Sequence, residues 1–145
     1  MDAGGQTPAA APARVLIVED DALLALSIED ALRGAGVADV TVCPTVAQAM
    51  TALEAKTPDA IVLDNHLADR KDGWALAELV AFIGPRHPQI VFSTAAPEEI
   101  PAEIARLGTV LEKPYDPRLL VDALCANRSG GLLSRLRGAL HRPNH

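Results

Sequence analysis

The sequence predicts an α/β fold, a doubly wound, five-stranded parallel sheet with strand order 2-1-3-4-5. Three observations predict it. Short apolar runs alternate with helical patterns of about ten residues. The runs are rich in β-branched residues and apolar on both faces, as strands covered by helices on both sides must be. Four of the five stop abruptly in charged or hydroxyl-bearing residues, and in parallel sheets ligands bind at that strand edge.

The first run is Val15-Leu16-Ile17-Val18. A helix over Asp21 to Arg33 follows, with Leu24, Ile28 and Ala31 at helical spacing and Gly34 as its stop. The second run, Val40-Thr41-Val42, is weaker and ends in Cys43-Pro44, which makes it the edge strand. A helix over Val46 to Ala55 leads to the third run, Ala60-Ile61-Val62-Leu63. The next helix is expected over Gly73 to Ile83, capped by Asp72. The fourth run is Ile90-Val91-Phe92, and a short helix near Pro101 to Arg106 separates it from the fifth, Val110-Leu111. Asp116 caps a last helix reaching about Asn127, with Pro117 in its first position. Five strand–helix repeats in this order favour a parallel sheet.

The chain has 145 residues, the size of one domain, and 49% are hydrophobic. Aromatics are 3%, so the core must be aliphatic. No apolar run approaches the ~20 residues of a membrane span, and residues 1–13 read as a flexible leader rather than an export signal. Cys43 and Cys125 accordingly read as reduced thiols in a cytoplasmic protein. The net charge is −6, yet four arginines and no acid lie from Arg128 onward, so the body is more acidic than the total. An acidic body argues against nucleic-acid binding.

Glu19, Asp20 and Asp21 end the first strand, Asp64 the third, Ser93 and Thr94 the fourth, and Glu112 and Lys113 the fifth. Taken singly, each has a bland reading. The first three acids could cap a helix, Asp64 could sit in a turn, Thr94 could be a strand residue and Lys113 a solvated lysine. Taken together they converge on the middle of the sheet. Carboxylates gathered there repel one another, and a divalent cation with oxygen ligands or Lys113 can compensate. A carboxylate nucleophile with a metal, a lysine and a hydroxyl is equipped to form an aspartyl phosphate.

The segments VLIVEDD (15–21), AIVLDNHL (60–67), VFSTA (91–95) and LEKPY (111–115) resemble, in order, the receiver domain of bacterial two-component response regulators. The likeness covers about Arg14 to Asn127, so the domain is taken as 14–127, with a flavodoxin-like receiver fold. The resemblance implies that Asp64 accepts a phosphoryl group from a phosphohistidine of a histidine kinase or phosphotransferase. It implies Mg²⁺ held by Asp20, Asp64, Glu19 and the backbone carbonyl of His66. Thr94 would bond a phosphoryl oxygen, Lys113 would contact Asp64, and Lys113-Pro114 would be cis. Asp21 reads only as a cap. The domain would signal rather than catalyse, with slow self-dephosphorylation at most. Its output would pass through an unknown downstream protein or a phosphorelay, since no output domain fits in the remaining residues. The alternative is a pseudo-receiver, a binding module that does not turn over phosphate. A hydrolase of another α/β family would need a second acid near Asp64, where Asn65 and His66 stand. A nucleotide-binding domain would need a Gly-rich loop after the first strand.

The pattern departs from the family at two places. Val110 stands where receivers carry a switching Tyr or Phe, and Ala68 where a proline is common, beginning a charged run Asp69-Arg70-Lys71-Asp72. These departures resemble an atypical group of stand-alone receivers whose fourth strand ends Phe-Ala-Thr-Gly; here it ends Phe92-Ser93-Thr94-Ala95. Tyr115 reads as structural or as a stacking group. Homodimerisation is left open, because Val110 and Pro101 alter the face that the family uses. Residues 128–145 form a basic tail in which Leu132, Leu133, Leu136 and Leu140 would share one helical face. A frayed terminus is the reading preferred over docking to an acidic partner, and membrane contact is not expected.

Overall fold

The structure is a computed structural model and describes residues 11–84 and 87–126. Five strands form one sheet: β1 (Arg14–Val18), β2 (Asp39–Cys43), β3 (Ala60–Leu63), β4 (Gln89–Thr94) and β5 (Thr109–Glu112). Their order is β2-β1-β3-β4-β5, with every pairing parallel, as the alternation of strand and helix predicts. The interior strands β1, β3 and β4 bury both faces, which is why their sequences are continuously apolar. Edge strands β2 and β5 are only partly buried.

Successive side chains of a strand point to opposite faces, so each strand feeds two cores. Val15, Ile17, Val62 and Val91 pack with Ile28 and Leu32 of α1 (Ala22–Gly34) and with Leu120 and Leu124 of the last helix, α5 (117–126). Leu16, Val18, Ile61, Leu63 and Phe92 pack on the other face. There they meet α2 (Val46–Ala55), α3 (Ala75–Ala81) and α4 (Ala102–Ala105) through Ala49, Leu76, Val80 and Ile104. Full burial of each such aliphatic or aromatic side chain stabilises by about 1.5–3 kcal/mol, so the sheet is a stiff platform for whatever its ends carry.

Asp21 caps α1, its carboxylate accepting the N–H groups of Leu23 and Leu24 at 3.0 and 3.1 Å. The buried stripe of α1 is Ala25, Ile28 and Leu32, one residue on from parts of the predicted stripe. Gly34 is the last helical residue, and the chain turns at Gly36, whose φ of 102° needs a glycine.

Helix α3 differs from expectation. It is shorter than Gly73 to Ile83, and Asp72 does not cap it. The Asp72 carboxylate instead accepts two bonds from the Arg70 guanidinium, at 2.8 and 2.9 Å, and this paired, charge-assisted geometry outcompetes a cap. Asp69, in the same loop, caps a different helix. Its two oxygens accept Val46 N–H at 2.9 Å and Ala47 N–H at 3.1 Å at the start of α2. The Val46 bond is the main reason that the Asp69 carboxyl lies below its usual pKa. Gly73 is required by space rather than by φ. A Cβ there would lie 2.2 Å from the carbonyl oxygen of Asp64, while its N–H donates to Asn65 O at 2.8 Å.

Cys43 and Cys125 are free. No helix among the described residues is long and apolar enough to cross a membrane. Most of the predicted leader and the whole tail from Arg128 lie outside the described residues.

Candidate phosphoacceptor site

The parallel register brings the polar strand ends to one edge. Val18, the last residue of β1, pairs with Leu63, the last of β3, and Leu63 pairs with Phe92 of β4. The residues just beyond these positions are Glu19, Asp64 and Ser93. Backbone bonds lock two of them, with Glu19 N–H donating to Cys43 O at 3.1 Å and Asp64 N–H to Val18 O at 3.0 Å. Just beyond β5, Lys113 N–H donates to Thr94 O at 2.8 Å, and Lys113-Pro114 is cis, as expected.

Glu19 and Asp64 are buried, at 2% and 5% exposure, whereas Asp20 is open to solvent. Each of the three offers a carboxylate oxygen within 4.8 Å of the others. Lys113 compensates from one side, its Nζ lying 2.9 Å from Glu19 Oε1 and 3.3 Å from Asp64 Oδ2. Burial pushes Glu19 up to about 7, against the opposing pull of the Lys113 and Asp21 N–H bonds; the Asp64 charge adds to the rise. For Lys113, burial acts downward, but the bond to Glu19 and the charges of Glu19 and Asp64 outweigh it and hold the ammonium above the ordinary lysine value. One ammonium facing three carboxylates leaves the cluster short of positive charge. Its donors are all hard oxygens, one carboxylate is open to water, and a small divalent cation fits such a set.

Thr94 is buried, and its Oγ1 accepts Ala96 N–H at 2.8 Å, which leaves the hydroxyl proton free to be donated. His66 N–H donates to Asp64 Oδ1 at 3.4 Å, but the imidazole turns away from the acids, with Nε2 2.6 Å from Glu99 Oε1. Three participants around this site, Asn65, Asp69 and Glu99, were not singled out from sequence. Asn65 is buried and donates to Ala96 O at 3.2 Å. Ser93 Oγ lies 2.6 Å from the Tyr115 hydroxyl, which gives Tyr115 a structural anchor. Burial raises the Tyr115 pKa despite the Ser93 bond. Glu99 pairs with His66, and Asp69 ties the loop after Asp64 to α2. Only long-range pairing identifies Asn65, Asp69 and Glu99, and the sequence carries no local mark of it. Val110 is half-buried against the α2–α4 side of the core.

Residues 15–125 match the response regulator receiver domain family. The transcriptional regulatory protein DpiA of Escherichia coli strain K12 is 33% identical over 133 residues, covering 90% of this chain and 55% of that protein. The phyllosphere-induced regulator PhyR of Methylorubrum extorquens is 30% identical over 118 residues, covering 80% and 43%. The chain thus spans about half the length of these curated relatives. Among solved structures, a response regulator from Burkholderia pseudomallei, crystallised with a phosphorylated aspartic acid, calcium ion and citrate, superposes with TM-score 0.69. It is 21% identical, and the match covers 91% of this chain and 75% of that one. At that identity the likeness speaks for the fold.

Proposed function

The chain belongs to the response regulator receiver family, and from that premise we propose that residues 14–127 form a receiver domain whose Asp64 accepts a phosphoryl group from a phosphohistidine. The observation that carries this reading is Asp64 itself. It is a buried carboxylate at a strand end, with a lysine ammonium at 3.3 Å and two further carboxylates within 4.8 Å.

In the transfer, a carboxylate oxygen of Asp64 forms a bond to phosphorus as the nitrogen–phosphorus bond of the donor histidine breaks. The electron pair stays on the imidazole nitrogen, which takes up a proton. Lys113 stays beside the oxygens where negative charge accumulates, and the free proton of Thr94 is directed to a phosphoryl oxygen. Glu19, Asp20, Asp64 and the His66 carbonyl would hold Mg²⁺. When bound, the cation supplies charge neutralisation to the transferring group. The same reading makes the domain a cytoplasmic signalling module that meets a histidine kinase or phosphotransferase and passes its state on by protein contact or phosphorelay.

The test is intact mass after incubation with acetyl phosphate and Mg²⁺. Wild type gains one phosphoryl group and Asp64→Ala gains none. Val110, which removes the aromatic readout, favours the pseudo-receiver as the second reading. A wild type that stays unmodified with both acetyl phosphate and a panel of phosphorylated histidine kinases would establish it.

A further inference from the structure

The loop after Asp64 and the turn after Thr94 are separate in sequence, but two side-chain bonds join them. Asn65 donates to Ala96 O at 3.2 Å, and His66 Nε2 meets Glu99 Oε1 at 2.6 Å. Glu99 ends the short 3-10 helix Pro97–Glu99. Ala96 is the junction of the arrangement, since its N–H holds Thr94 Oγ1 and its carbonyl holds Asn65. Asn65, next to Asp64 in the chain, and the Thr94 hydroxyl therefore belong to one chain of hydrogen bonds through Ala96. The two bonds differ in setting. Asn65 is buried, whereas His66 and Glu99 are about half-exposed. An exposed bridge is weak enough to open without unfolding the domain.

We propose that Glu99, acting through His66, is a positioning residue of the phosphoacceptor site, and that their bridge holds the loop over Asp64 and limits the access of water to a phosphoryl group bound there. This rests on Asp64 being phosphorylated. In the reaction the bridge restrains, a water oxygen bonds to phosphorus and the bond from phosphorus to the Asp64 oxygen breaks. The electron pair remains on the carboxylate, and the water gives up a proton as inorganic phosphate leaves. Opening the bridge frees the His66 end of the loop and lets water approach. Glu99 touches none of the reacting atoms, so it acts only through where it holds His66.

The experiment compares the full chain as wild type, Glu99→Ala and Glu99→Gln. Each is loaded with acetyl phosphate and Mg²⁺, freed of donor and followed by intact mass. Glu99→Ala is expected to shorten the phosphoryl half-life roughly fivefold, the scale on which one exposed charged bond acts. Glu99→Gln keeps an acceptor oxygen and restores most of the lifetime. Hydrogen exchange on the unphosphorylated proteins forms the second arm, with faster exchange at residues 65–67 and 96–99 in Glu99→Ala and an unchanged unfolding midpoint. An unaltered half-life in Glu99→Ala, or equal shortening in both variants, overturns the proposal. So does unaltered exchange in that loop. A wild type that takes up no phosphoryl group sinks the phosphoacceptor reading instead, while exchange still reports whether the bridge exists.

Discussion

The two halves of the site are built differently. Glu19, Asp64 and Lys113 follow directly from strands, and backbone bonds to neighbouring strands fix all three. The opposite half, from Asn65 to Asp72 and from Ala96 to Glu99, is loop and short helix, held by individual side chains. Of the two departures read from sequence, the second half holds Ala68 with its charged run, and Val110 lies on β5. Chemistry that needs charges placed to a fraction of an ångström sits on the packed sheet. The loop half rests on individual side-chain contacts, several of them exposed and therefore weaker.

The largest effect separating the halves is expected from the sheet beneath them. Phe92 is fully buried and lies directly before Ser93 and Thr94. Phe92→Ala should cost about 3–5 kcal/mol in denaturant unfolding and loosen divalent-cation binding along with it. A stable variant with intact binding would show that the sheet does not position the acids.

The next effect in size is a pH dependence confined to the charged half. Glu19 is raised from 4.5 to about 7, so the folded protein keeps a proton that the unfolded chain has released. The stability this contributes is full below about 4.5 and is lost as pH rises through about 7. A cation must displace that proton. Mg²⁺ affinity is therefore expected to climb by up to about tenfold per pH unit below pH 7 and to level off above it, with Glu19→Gln weaker and flat. Calorimetric titrations across this range check the slope. A flat wild-type profile would mean that Glu19 binds nothing or is already ionised.

The smallest effect lies in the loop half. Asp69→Ala removes the acceptor for Val46 and Ala47 N–H and should lower the unfolding midpoint by a few °C, on the order of one lost helix cap. The Asp64 neighbourhood should persist, so Mg²⁺ affinity should change less than in Glu19→Gln. A larger loss of affinity in Asp69→Ala would erase the distinction between the halves.

The same division explains what could be read from sequence. Strands buried on both faces are continuous apolar words, and the switch to Glu19, Asp64, Thr94 and Lys113 marks where each ends. Their convergence follows from parallel order alone. The loop half was less legible because its partners are distant. Asp72 reads as a cap by its place before Gly73, but Arg70 is the nearer competitor. Asp69 caps a helix that starts 23 residues earlier. Glu99 reaches His66 across 33 residues, and nothing in PEEIP announces it.

The close approach of Gly73 to Asp64 has a further consequence. With 73 pressed against the backbone of 64 and bonded to 65, the residues between leave and return through one narrow neck. A loop closed at its neck can change length and composition at little entropic cost. Arg70 and Lys71 form an exposed tip that touches none of the reacting groups. New partners could be acquired there by substitution or insertion, while the carboxylate at the base keeps its chemistry.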